Sequence, residues 1–183
     1  LTDWINAHRS LLDQVDIFLS TAGILDSFRP ALETTYEEIQ HVMTVNVAAA
    51  IQLSLALLPK MVARNNGQFV FMASIAGQIA GGGGAAYTMS KHALIGWMRQ
   101  LALDYASSGI RINAIAPGAI ETPMNAADFA GDGAMAKQVA EETPVKRWAA
   151  AQEVADLTLY ITSPQASYVQ GQVLTIDGGW TIK

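Results

Sequence analysis

Apolar and polar residues follow two alternating rhythms along this chain. Val15-Asp16-Ile17-Phe18-Leu19 is a short β-rich run closed by the small residues Ser20-Thr21-Ala22-Gly23, which predicts a buried strand leading into a tight loop. From Thr35 the spacing turns helical, with Ile39, Val42, Met43, Asn46, Val47, Ala50, Leu53, Leu57 and Met61 on one stripe. Thr35 and Glu38 have the spacing of a capping box and Asn65-Asn66-Gly67 reads as a stop, so one long helix is expected from about Tyr36 to Arg64. Gln68–Ala73 and Ile110–Ala116 read as two further strands, the second closed by Pro117-Gly118, with a helix from about Tyr87 to Ala106 between them. A helix over Gln152–Ile161 and a strand over Gln172–Ile176, ended by Asp177-Gly178-Gly179, complete the series. Strands alternating with helices pair in parallel through right-handed crossovers, which predicts a layered α/β sheet covered on both faces.

Composition narrows the classes of function. The 183 residues carry 11 Lys+Arg against 16 Asp+Glu, a formal charge of −5, with no Lys/Arg cluster, which speaks against a nucleic-acid or anionic-membrane partner. A small molecule or another protein is the expected partner. The absence of cysteine removes disulfides, thiolate metal sites and cysteine nucleophiles, and is compatible with a cytoplasmic setting. The longest apolar stretch, Val47–Leu58, is interrupted by Gln52 and Ser54 and is read as too short to span a bilayer. His8, His41 and His92 are scattered, so no metal site or histidine-based triad is inferred.

Four residues hold candidate chemistry. Asn46 lies on the apolar stripe of its helix, so its amide must find partners inside the protein, either pinning a neighbouring loop or serving a site. Tyr87 and Lys91 are one turn apart on one helix face, where a positive charge would bring the phenol pKa down from about 10 toward the range of neutral-pH proton transfer. Ser74 follows a strand whose C-terminal end would face a ligand crevice in a parallel sheet, where its hydroxyl could bond a substrate oxygen.

The ordered set Ser20-Thr21-Ala22-Gly23, Asn46, Ser74, Tyr87-Thr88-Met89-Ser90-Lys91, Arg111-Ile112-Asn113, Pro117-Gly118, Ile120-Glu121-Thr122 and Gly171 to Gly179 resembles the short-chain dehydrogenase/reductase family over almost the whole chain. Within it, the ending is similar to 3-oxoacyl carrier-protein reductases and sugar or polyol dehydrogenases. The resemblance implies a doubly wound, Rossmann-like parallel sheet and hydride transfer between NAD or NADP and a carbonyl or alcohol. It gives Tyr87 the role of general acid or base. Lys91 would lower the pKa of Tyr87 and bond the nicotinamide ribose, Ser74 would orient the substrate oxygen, and Asn46 would hold a water in the proton relay. Pro117, Gly118, Ile120 and Thr122 would line the nicotinamide side, and Ser20, Ala22 and Gly23 the adenosine half.

Two features depart from the family pattern. Ser20 stands where the family usually has Asn, and no glycine-rich strand-turn-helix precedes Leu1. The chain is therefore expected to be the C-terminal part of a single Rossmann-like domain, lacking on the order of 60 residues of cofactor-binding βαβ units, with the strand at Ile17–Leu19 left as an open edge. A homodimer or homotetramer through helices 36–64 and 87–106 is expected, and a non-catalytic oligomerisation or interaction module is the alternative. The glycine run Gly81–Gly84 lies between Ser74 and Tyr87, so it reads as a substrate-side loop and not as a phosphate cradle. The segment Pro123–Pro144 mixes small and apolar residues, as a lid would.

Overall fold

The computed structural model describes residues 1–183. It opens with two short helices that the patterning does not single out, α1 (Thr2–Ala7) and α2 (Arg9–Leu12). Strand β1 (Ile17–Ser20) follows, then α3 (Tyr36–Met43), a π-helical segment (Thr44–Ala48) and α4 (Ala49–Arg64) without a break. Next come β2 (Gly67–Met72), α5 (Ala85–Tyr105) and β3 (Ile110–Pro117). The two-residue strands β4 (Ile120–Glu121) and β5 (Ala149–Ala150) bracket a 3-10 helix (Pro123–Phe129) and α6 (Ala134–Glu142). The series ends with α7 (Ala151–Thr162) and β6 (Val173–Ile176).

The four longer strands form one parallel sheet in the order β1-β2-β3-β6, with Phe69 opposite Ile112 and Val70 opposite Asn113. Alternate residues of a strand face opposite sides. On one side Phe69, Phe71, Ile110 and Ile112 pack against Leu57 and Met61 of α4 and Leu94 and Met98 of α5, all fully buried. On the other, Val70 and Ile115 meet Ile161 of α7. The chain is thus an α/β, Rossmann-like sheet with helices on both faces.

The expected uniform handedness fails. Strand order advances in one direction from β1 to β6, yet the first two crossovers run over the α4/α5 face and the last, through α7, runs over the other. Parallel crossovers that step the same way over opposite faces have opposite hands, so they are not all right-handed. The preference belongs to tight βαβ units. Between β3 and β6 the chain first builds α6 and pairs β4 with β5, and this detour delivers α7 to the far face.

Helix boundaries follow the local chemistry. The Thr35 side chain accepts the Glu38 backbone N–H at 3.2 Å, as the capping pattern predicts. The Glu38 carboxylate, however, accepts the Ser27 N–H at 2.8 Å, tying the helix to the loop after β1. At the far end Asn65 adopts the left-handed conformation (φ 52°, ψ 35°), and the Asn66 N–H returns to the Met61 carbonyl at 3.1 Å. The continuous helix from Tyr36 to Arg64 is long and apolar enough, by length and composition, to cross a membrane, which corrects the sequence expectation. Its apolarity is answered in the core, where α4 lies against β2 and Asn46 and Ser54 are buried. β1 is an edge strand, as expected, and this corrects the prediction of a buried strand from its apolar run: with no neighbour on one side, Ile17 and Leu19 are 43% and 44% exposed.

Candidate active site

Parallel strands present all their C-terminal ends at one edge of a sheet. The loops leaving β1 and β2 there carry Thr21 to Gly23 and Ser74, and β3 ends in Pro117 with Gly118 next to it. Helix α5 runs back from that edge, so its first two turns place Tyr87 and Lys91 beside them. The result is a cleft of about 720 Å³ whose wall includes Gly23, Ser74, Tyr87, Lys91, Pro117, Gly118, Ile120 and Thr122. Eight of the eleven residues singled out in the sequence thus share one cavity.

The reacting groups are held from beneath. Lys91 Nζ donates to the Met72 carbonyl at 2.9 Å and lies 5.3 Å from the centroid of the Tyr87 ring. Ser74 caps the turn Ile75–Gly77, its Oγ accepting the Ala76 N–H at 3.1 Å. All three side chains are buried. Burial pushes the Tyr87 phenol above its ordinary value; hydrogen bonding to Ser74 opposes that shift and the Asp26 carboxylate reinforces it. Burial likewise pushes the Lys91 ammonium down to about 8. The expectation that Lys91 lowers the tyrosine pKa is therefore not met in the free protein. Both groups resist charging for the same reason, removal from water, and the ammonium spends a hydrogen bond on Met72.

Asn46 sits below the cleft wall, inside the π-helical segment. Its Oδ1 accepts the Ile24 N–H at 2.8 Å, and its Nδ2 donates to the Ile24 carbonyl and to Ser90 Oγ, both at 3.0 Å. Ser90 in turn donates to the Tyr87 carbonyl at 2.7 Å. The side chain therefore pins the loop after β1 and braces the turn of α5 that bears Tyr87. Ser20 and Ala22 line a separate hollow of about 150 Å³ with Phe18, Val45 and Leu53, and do not reach the main cleft.

Asp26 carries no signal in the sequence, yet it organises the N-terminus of α5. Its Oδ1 accepts the Gly84 N–H at 2.9 Å and its Oδ2 accepts the Tyr87 N–H at 2.8 Å, so a residue distant in sequence does the work of an N-cap. Gly84 makes this approach possible: a Cβ there would stand 2.6 Å from the carboxylate. Over the cleft lie the helix Pro123–Phe129 and α6, which contribute Met124, Asn125, Asp128, Met135 and Val139. The glycine run contributes Gly81 and Gly82 to the same cavity.

A family model described as enoyl-(acyl carrier protein) reductase matches residues 1–181. The chain belongs to the short-chain dehydrogenase/reductase family. A tropinone reductase homologue of Arabidopsis thaliana is 36% identical over 92% of this chain. A crystal structure of 4-hydroxyisoleucine dehydrogenase complexed with NADH superposes on all of this chain and 76% of its own, with TM-score 0.91 and 30% identity. A gluconate 5-dehydrogenase from Burkholderia cenocepacia, in complex with NADP and tartrate, superposes on 98% of this chain and 69% of its own, with TM-score 0.90 and 27% identity. The chain spans 62%, 64% and 54% of the length of three curated plant relatives.

Proposed function

We propose that this chain carries the proton-transfer and substrate-binding part of an NAD- or NADP-dependent oxidoreductase that interconverts a carbonyl and an alcohol in the cytoplasm. The observation that carries this reading is the convergence of Ser74, Tyr87 and Lys91 on one cleft at the C-terminal edge of the sheet. The residues present suit a nicotinamide dinucleotide. Lys91 has three N–H donors and spends one on Met72, which leaves two for a ribose. Gly23 presents bare backbone beside it, since a Cβ there would lie 3.3 Å from Asn46 Oδ1 and 3.5 Å from Lys91 Nζ. Related structures solved with NADH and with NADP support the same assignment.

When bound, the dinucleotide supplies or accepts the hydride. The chain's own residues handle the oxygen. Ser74 Oγ bonds the carbonyl oxygen and fixes its lone pairs. Tyr87 delivers its phenolic proton to that oxygen in reduction and takes it back in oxidation. A raised phenol pKa keeps this proton in place at neutral pH until charge develops on the substrate, and Lys91, beneath the ring, then stabilises the phenolate. Asn46 and Asp26 hold the loop and helix on which these atoms ride. Apolar residues exposed on the two long helices, among them Leu55, Met89 and Leu103, support a homodimer or homotetramer through helices 36–64 and 85–105. The test is absorbance of the reduced nicotinamide with a panel of ketones and alcohols. Turnover that Tyr87→Phe abolishes is expected, and turnover that this variant retains would refute the assignment.

A further inference from the structure

We infer that this cleft selects uncharged or cationic carbonyl and alcohol substrates with a largely apolar body and rejects carboxylates, with Asp128 as the specificity-determining residue. The inference rests on the oxidoreductase reading and names the substrate class of that same site. Away from Ser74 and Tyr87 the wall is built from Ile75, Met124, Met135, Val139, Trp148 and Trp180, which favours an apolar substrate body. One acidic side chain lines it, Asp128, on the helix Pro123–Phe129.

The charge of Asp128 is not paired with any cation: none of the four ion pairs in the chain includes it. Its Oδ2 meets only the Asn125 amide at 3.5 Å, and Asn125 Oδ1 accepts the Thr122 hydroxyl at 3.1 Å. Lys91 is the only cation in the wall, and it is buried under Tyr87 with a bond to Met72. Lys183, behind Trp180, lies 3.3 Å from the centre of that indole ring and 3.4 Å from the Glu142 carboxylate, outside the lining. With the remaining Lys91 donors taken by the ribose, a carboxylate entering beneath the lid meets a negative charge and no other ammonium or guanidinium to receive it. A positively charged group gains from the same field.

The matched pair methyl 4-acetylbenzoate and 4-acetylbenzoate tests this on the protein with NADH or NADPH added as the hydride donor, through two readouts. Quenching of Trp148 and Trp180 fluorescence reports binding without turnover, and nicotinamide absorbance reports kcat/KM. The ester is expected to be favoured by about tenfold or more at neutral pH, Asp128→Asn to narrow the preference to about threefold or less, and Asp128→Lys to reverse it. Equal binding of the two ketones, a preference that Asp128→Asn leaves unchanged, or no quenching by either at millimolar concentration would overturn the inference. Ester-selective quenching that Asp128→Asn relaxes, without turnover of either probe, upholds the selectivity and counts against the oxidoreductase reading instead.

Discussion

The floor and the roof of the cleft are built on different physics. In the floor, Ser74, Tyr87 and Lys91 are buried, Ser74 and Lys91 are bonded to backbone at the end of β2, and α5 is fastened by Asp26 and, through Ser90, by Asn46. In the roof, Met124 and Met135 are 45% and 60% exposed. Its longer-range ties are few: the Trp148 indole donates to the Ala136 carbonyl at 2.9 Å, and the Phe129 and Trp148 rings pack 4.9 Å apart. Proton transfer demands atoms fixed to fractions of an ångström, whereas admitting and releasing a substrate demands a surface able to shift. The difference assigns chemistry to the floor and selection to the roof.

Substitutions in the floor should break activity, and substitutions in the roof should only reshape it. Tyr87→Phe is the largest expected effect: kcat falls by about 10³-fold or more while dinucleotide affinity, measured by titration, changes by about threefold or less. Lys91→Met comes next, with a fall in kcat of about 10²-fold and a signature in stability. In the folded chain Lys91 gives up its proton near pH 8, against 10.5 when unfolded, so its charged form opposes folding at low pH. That opposition fades as pH rises from about 8 toward 10.5, and urea midpoints should climb over this window in the wild type and stay flat in Lys91→Met. Tyr87, with its pKa raised, adds the opposite slope only above pH 10.

Asp26→Ala is expected to cost about 1–2 kcal/mol of stability, the worth of a lost helix N-cap, and to lower kcat by about tenfold through loss of position. Asp26→Asn keeps one acceptor and recovers most of the stability. In both variants the basic limb of the pH–rate profile moves to lower pH, because a negative charge near Tyr87 has gone. Met135→Ala in the roof should change KM by about threefold and Tm by about 2 °C or less. Smallest of all is Arg147→Ala, which opens an exposed bidentate pair with Glu153 at 2.8 Å and should move Tm by about 2 °C or less. If roof and floor variants had effects of similar size, the division of labour would be wrong.

The parts of this molecule legible in the sequence are those decided locally. Periodicity locates the four sheet strands and the long helices, because β2 and β3, largely buried on both faces, and the edge strand β1 are each short apolar runs, and a core-facing helix is a stripe. Ser74, Tyr87 and Lys91 were legible because their spacing lies within one strand-loop-helix unit. Asp26 was not, because its role exists only once the loop after β1 reaches the start of α5, 58 residues later. The left-handed last crossover was equally hidden, since no residue encodes it; it follows from where α7 finds an apolar face. The direction of the Tyr87 shift is not legible in the sequence, because spacing reveals a neighbouring charge but not the burial that competes with it.

The π-helical segment Thr44–Ala48 also acts as a phase adjuster. Each residue of an α-helix turns about 100°, so one extra residue accommodated in a wide turn rotates everything beyond it by that angle relative to everything before. Ahead of the segment, Glu38 faces the loop that follows β1; after it, Leu57 and Met61 face the sheet. Deleting one residue between 44 and 48 would leave the helix just as helical. It would swing the apolar side of α4 away from β2 and take the Asn46 amide out of reach of Ile24, making this cleft sensitive to chain length at a place where no reacting atom stands.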